Sequence, residues 1–312
     1  MTRRILVNTG NGMFGRALIR KLLNRDDIQI RAMVRDRSKF DLTGNNLEVV
    51  VGDMDDPPSL IEPTHDISHV FLTSPMDKHI TRREEAVVDA ARTQGTPHVL
   101  NIYGAVRHQG DHLDSMHVAA IDHLKASGLP WTLISPNSVM ETSQKLYEEQ
   151  LPMGLFLGMS GGGKVGLVAL DDVARVIATV ATTDGHEGQN YKCTGPAAVS
   201  MSELADAFSR ALGRTIEYID LPEDEFTQML LDHAGFNSRE ELETTVICHL
   251  RSWRDGRADL VTDTVEQVTG QPAMSAQDWV QAHVSEFQRK PNLGERLAGL
   301  ALKERYRKDV LR

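Results

Sequence analysis

The feature that most constrains this chain lies near its start. Ile5-Leu6-Val7 is an apolar run that ends in Asn8-Thr9-Gly10-Asn11-Gly12-Met13-Phe14-Gly15, and Phe14, Leu18, Ile19, Leu22 and Leu23 then recur on one helical face. An apolar run, closely spaced glycines and a helical period in succession predict a strand, a tight turn and a helix. Gly10, Gly12 and Gly15 fit G-x-G-x-x-G, a spacing that makes the turn, lets the backbone approach a pyrophosphate and packs the helix closely on the strand. The helix start also offers N–H groups with no intrahelical partner to phosphate oxygens. Thr9, Gly10, Asn11, Gly12, Met13, Phe14 and Gly15 are therefore read as a phosphate-binding turn.

The pattern that follows alternates strands with helices. Strands are expected over 28–34, 47–51, 68–72, 98–104 and 131–136, with helices over 83–91 and 112–128 between them. Such alternation predicts an α/β fold, a doubly wound parallel Rossmann sheet. Ligands of such sheets sit outside the carboxyl ends of the strands, so Asp53, Met54, Thr73, Ser74 and Pro75 join the expected cofactor contacts. Asp53 reads equally well as an acceptor near the adenine or as a helix N-cap. Arg35 comes directly after the second strand, where an acidic residue would suit the ribose of NAD and an arginine the 2′-phosphate of NADP. Asp36 opposes it, and Arg37 and Lys39 are either part of the same patch or solvated loop charges. NADP(H) is thus expected in preference to NAD(H).

Residues 1–155 are read as the NADP-binding Rossmann domain and 156–312 as a smaller, mostly helical, substrate-covering domain with a helical tail. Residues 137–163 lack a clear period, and Met159-Ser160-Gly161-Gly162-Gly163-Lys164-Val165 reads as a flexible connector or lid. Ser200 and Glu203 form a capping-box pattern, and Ser238 and Ser275 are further helix starts. The tail places Leu293, Leu297, Leu300 and Leu302 among Lys303, Arg305, Arg307 and Lys308, an amphipathic helix expected to clasp its own body or a second subunit.

Composition sets limits. With 312 residues, 40% apolar and 25% charged, the chain can bury a sizeable core. A net charge of −10 argues against nucleic acid as a partner, since that requires basic surface to replace counterions. Only Cys193 and Cys248 are present, and no apolar run approaches a membrane span, so a reduced cytoplasmic setting is expected. The two cysteines are expected to pack as small apolar groups. A small-molecule substrate is expected, with a homodimer open.

The glycine turn, Val34-Arg35, Gly52-Asp53, Tyr103-Gly104-Ala105, His117 with 124–132, Pro136-Asn137 with Met140-Glu141, and Leu170-Asp171-Asp172-Val173-Ala174 occur in this order. Together they resemble the NmrA-like branch of the atypical short-chain dehydrogenase/reductases over about residues 1 to 235. The resemblance implies a Rossmann domain that binds NADP(H) or NAD(H). It further implies reduction of a quinone, enone, imine or related small molecule, or else non-catalytic sensing of nicotinamide redox state. The family commonly carries G-A-T-G-x-x-G, against which this chain places Thr9 at the first glycine. The Tyr-x-x-x-Lys pair of ordinary short-chain reductases is absent, its nearest counterpart being Tyr103 with Arg107.

Reduction of a carbonyl or imine needs a proton for the developing anion, so a donor must stand beside the substrate heteroatom. Tyr103, at the exit of the fifth strand, is a candidate donor or substrate anchor, and equally a tyrosine packed in the core with a wet hydroxyl. His117 lies where the family often has a basic residue, and an ordinary imidazole titrates near neutrality; a plain helix-surface histidine is the competing reading. Asn101 occupies the position of a serine common in the family, which implies a cofactor contact able to orient a carbonyl, and Asn137, Met140 and Glu141 are expected to line the substrate pocket. His108, Asp111, His112, Asp114 and His117 crowd within ten residues, yet a polar loop before a helix is favoured there and no metal is expected. The leading expectation is an NADPH-dependent reductase of a small apolar carbonyl, quinone, enone or imine. A non-catalytic NADP(H)-sensing regulator, or a redox-neutral cyclase or isomerase on the same fold, competes with it.

Overall fold

The computed structural model describes residues 2–106, 112–233, 235–236 and 238–309. Seven parallel strands form the main sheet: β1 (Arg3–Val7), β2 (Ile28–Val34), β3 (Leu47–Val51), β4 (His69–Leu72), β5 (His98–Ile102), β6 (Trp131–Pro136) and β7 (Asn190–Cys193). Their spatial order is β7-β6-β5-β4-β1-β2-β3, so the direction of winding reverses between β1 and β4. That reversal opens a crevice at the carboxyl ends, the place where doubly wound sheets bind ligands. Strands buried on both faces read as continuous apolar runs, and β4 is buried at all four positions.

Helices cover both faces. On one, α1 (Met13–Leu22) buries Leu18, Ile19 and Leu22, and an ion pair of 2.6 Å from Lys21 to Asp171 joins it to α4 (Leu170–Thr182). On the other, α2 (Ile80–Thr93) and α3 (His112–Ala126) are linked by the Thr81 hydroxyl, which donates to the Met116 carbonyl at 3.0 Å, and by His123 at 3.0 Å from Asp89. A cluster of Leu6, Val70, Leu72, Val87, Val88, Ala91, Val99 and Leu124 fills the space beneath this second pair.

Two compact units interleave along the chain where a single boundary near 155 was expected. The sheet unit takes Met1–Pro136, Leu170–Cys193 and Asp263–Pro272; the other takes Asn137–Ala169, Thr194–Thr262 and Ala273–Arg312. In this second unit the stretch expected to be irregular is ordered. Ser138–Val139 pairs with Leu167–Val168, a helix spans Gln144–Gln150, and Leu155–Gly158 pairs in parallel with Glu217–Asp220. Met159–Val165 is not a lid. Met159 and Ser160 are fully buried, and a Cβ on Gly163 would lie 2.0 Å from the Trp253 carbonyl oxygen. The glycine serves a close backbone approach there, and flexibility is not its purpose.

The capping box at Ser200 is complete: its hydroxyl accepts from Glu203 N, and the Glu203 carboxylate accepts from Ser200 N. Ser238 and Ser275 also cap helices as expected. The tail helix, Leu293–Asp309, lies on its own unit through Leu302 and Tyr306, and Arg305 pairs with Glu225 at 3.0 Å. Leu293, Leu297 and Leu300 stay 73, 58 and 64% exposed. Both cysteines are buried and unbridged, and burial pushes the Cys193 thiol up to about 12.

Candidate active site

The glycine turn is built by close approach. Gly10 N donates to the Met33 carbonyl at 2.9 Å and Gly12 N to the Thr9 carbonyl at 2.9 Å. A Cβ on Gly15 would sit 2.1 Å from the Thr9 carbonyl oxygen, so only glycine lets α1 press against the end of β1. Gly12 is the N-cap of α1 and supplies no side-chain cap, and the first turn holds no acidic residue. The helix start is therefore open to an anion. The Thr9 hydroxyl is buried there without a partner.

Asn8 fixes the neighbouring strand exits. Its amide nitrogen donates to the Thr73 carbonyl at 3.0 Å and lies 3.1 Å from the Met54 sulfur, while its oxygen accepts from Thr73 N at 3.0 Å. Arg83 acts as a second clamp, pairing with Asp55 past β3 at 2.8 Å and Asp77 past β4 at 2.7 Å. Its hydrogen bond holds the Asp55 carboxyl below the usual range.

At the β2 exit Arg35 is exposed. Asp36, the opposing charge, is committed elsewhere: it accepts from Ser38 N at 3.0 Å and from the Ser38 hydroxyl at 2.7 Å, which holds its carboxyl below the usual range. Asp53 also does local work, since its carboxylate accepts from Asp55 N at 2.9 Å and its own N–H donates to the Ser59 hydroxyl at 2.9 Å. Met54 is buried, and Pro75 lies exposed beyond the β4 exit.

Ser74 and Asn101 meet at a residue that sequence reasoning passed over. Glu84 of α2 accepts from the Ser74 hydroxyl and from the Asn101 amide, each at 2.9 Å. It is 5% exposed, and burial pushes its carboxyl up to about 7, against the lowering effect of its two donors. The signal was present in the sequence: Ile80, Glu84, Val87, Val88 and Ala91 share one helical face, and an acid on an apolar stripe is anomalous. Asn101 is itself 2% exposed, and its carbonyl oxygen has no partner.

Tyr103 and His117, fourteen residues apart in sequence, come together: their ring centroids lie 5.7 Å apart, tilted by 42°. Tyr103 N donates to the Ile134 carbonyl at 2.9 Å, which fixes the chain as it leaves β5. Arg107, His108 and Asp111 lie outside the described residues, as do the side chains of His112 and Leu113. In the second unit, Asn137 donates to the Ala258 carbonyl at 2.9 Å, Met140 is buried, and Glu141 accepts from the Trp279 indole at 2.8 Å.

A family model described as NAD(P)H-binding matches residues 10–184, from the glycine turn to the end of α4. The chain belongs to this NAD(P)H-binding family. The NAD(P)H-binding chain is 29% identical over 287 residues to the NAD(P)H azoreductase of Xenophilus azovorans, covering 91% of this chain and 99% of that one. It is 26% identical, with the same coverage, to the (4-alkanoyl-5-oxo-2,5-dihydrofuran-3-yl)methyl phosphate reductase of Streptomyces griseus. Its fold is that of the NADPH-dependent quinone oxidoreductase QOR2 of Escherichia coli, solved with NADPH, with a TM-score of 0.79 at 21% identity over 90% of this chain and 99% of that one. The resemblance to the NmrA-like reductases stands with these relatives. The uncapped helix start and the orphaned Thr9 hydroxyl fit a bound pyrophosphate.

Among the described residues no helix is long and apolar enough to cross a membrane.

Proposed function

We propose that this chain is an NADPH-dependent reductase of a small apolar substrate, a carbonyl, quinone, enone or imine. The broader reading, an NAD(P)H-dependent oxidoreductase, is supported by the family membership and by relatives named as reductases over nearly their full length. The observation that carries the reaction is the pairing of Tyr103 with His117 just past β5.

The order of strand exits supports the assignment of parts. From β2 through β1 and β4 to β5 the sheet advances three strands, about 14 Å at an ordinary strand spacing. Arg35 at the first exit would take the 2′-phosphate, the turn from Thr9 to Gly15 the pyrophosphate, and the β4 and β5 exits the nicotinamide end. When bound, the cofactor supplies a hydride. Tyr103 would donate a proton, or a hydrogen bond, to the substrate atom on which charge develops, with His117 beside it as a second group able to pass a proton. NADP selection rests on the exposed Arg35 fork and on Asp36 being turned to Ser38.

Titration of the protein with NADPH and NADH, followed by cofactor oxidation with azo dyes, quinones and enones, tests the proposal. Tighter NADPH binding and oxidation with at least one acceptor are expected; no binding of either cofactor to the folded protein sinks it. The missing Tyr-x-x-x-Lys pair favours one rival, a sensor that binds NADPH without turning it over. Tight binding with no oxidation by any acceptor is the outcome that rival expects.

A further inference from the structure

Glu84 occupies a position where an apolar residue would cost less. The side chains around it on α2, Ile80, Val87, Val88 and Ala91, are buried and apolar, and a buried acid is unfavourable beside them. Its value must lie in what its two oxygens hold. One accepts from Ser74, the residue after Thr73, and the other from Asn101. Thr73 in turn exchanges two hydrogen bonds with Asn8. Asn8, Thr73, Ser74, Glu84 and Asn101 thus form one polar line beneath the carboxyl ends of β1, β4 and β5, with the glycine turn beginning at one end and Tyr103 two residues beyond the other. Both oxygens of Glu84 accept here, so the line has a fixed polarity and turns the Asn101 nitrogen toward Glu84.

We infer that Glu84 is a positioning residue of the cofactor site: by accepting from Ser74 and Asn101 together, it sets the spacing of the β4 and β5 exits on which the nicotinamide end of NADPH rests. The inference depends on the NADPH reading above. Glu84 need not touch the cofactor; it acts through the two residues it holds.

The test exchanges the acid and the amide. Asn101→Asp sets two buried carboxyl groups against each other, which drives them apart or forces one to stay protonated. Adding Glu84→Gln to that variant restores one acid and one amide with the polarity reversed, since the amide at position 84 can donate to the carboxylate at position 101 while its oxygen still accepts from Ser74. NADPH affinity is read by fluorescence titration well below the melting temperature, and melting is followed separately. Asn101→Asp is expected to raise the NADPH Kd about tenfold, and the double variant to return to within about threefold of the wild type, the non-additivity expected of residues in one network. Glu84→Leu, of similar size, is expected to raise the Kd about tenfold while the protein remains folded, whereas a merely structural role would move only the melting temperature. A double variant that binds no better than Asn101→Asp, or a folded Glu84→Leu protein with wild-type affinity, overturns the inference while leaving NADPH binding by the wild type intact. Failure of the wild type to bind NADPH overturns the cofactor reading, and the inference with it.

Discussion

At the amino ends of the strands, Arg3 of β1, His69 of β4, His98 of β5 and Thr132 of β6 form a polar cluster whose members are closed on one another. Arg3 lies 3.3 Å from the His69 ring and donates to the Ala181 and Thr183 carbonyls; His98 meets the Thr132 hydroxyl at 2.8 Å; His186 reaches Thr183 and Tyr191, each at 2.7 Å. At the carboxyl ends of those strands, the Thr9 hydroxyl and the Asn101 carbonyl oxygen are buried without partners, and a carboxyl group sits on an apolar face. Nearly every buried polar group of a folded protein finds a partner. The end that only has to be stable follows that rule, and the end that has to receive a ligand departs from it.

The largest expected effect comes from the turn. Gly15→Ala forces a methyl group toward the Thr9 carbonyl, with backbone on both sides and little room to relax; a cost of about 3 kcal/mol and loss of NADPH binding are expected by calorimetry. Full retention of binding would remove the reason for distinguishing the two ends. Next in size, Tyr103→Phe and His117→Ala should each lower turnover by about 100-fold with NADPH affinity kept, as steady-state kinetics beside a binding titration would show. Wild-type turnover in both would strip this end of its chemistry.

Arg35→Ala is expected to weaken NADPH by about 10- to 100-fold, the worth of a hydrogen bond to a charged group, with NADH changed by less than about twofold. Equal effects on both cofactors would deny Arg35 its phosphate. The smallest effects are in pH, and they run in opposite directions. Burial holds the His69 imidazole down to about 4, so its contribution to stability is present above its ordinary value and is lost as pH falls through the window toward 4. Glu84 is raised to about 7, so its contribution is present below the ordinary carboxyl range and is lost as pH rises through 7. Denaturant midpoints across pH 4 to 8 should therefore show His69→Gln flattening the acid limb and Glu84→Gln the neutral limb; a single shared slope would contradict the assignment.

What the sequence disclosed depended on how local the signal was. The β1 run, the turn and α1 follow one another within twenty residues, and each has its own period, so strand, turn and helix were legible. Ser200 with Glu203 was equally plain, because a capping box closes over three residues. Gly163 misled because glycine is ambiguous alone: it permits flexibility in a loop and a 2.0 Å approach in a packed segment, and the partner carbonyl at Trp253 is ninety residues away. Glu84 was hidden for the same reason, since its meaning comes from Ser74 and from Asn101 on another strand. Tyr103 and His117 were each plausible alone, but only the fold brings their rings together.

The alternation of the two units also bears on how the protein is made. Three segments of each alternate, so the backbone passes between them five times. When β6 emerges during synthesis its outer edge has no partner, because β7, which pairs with it from Leu133 to Pro136, is encoded after a whole segment of the other unit. An open edge strand invites pairing with another chain. From the emergence of Pro136 until that of Cys193 the edge of the sheet at β6 is therefore open to another chain.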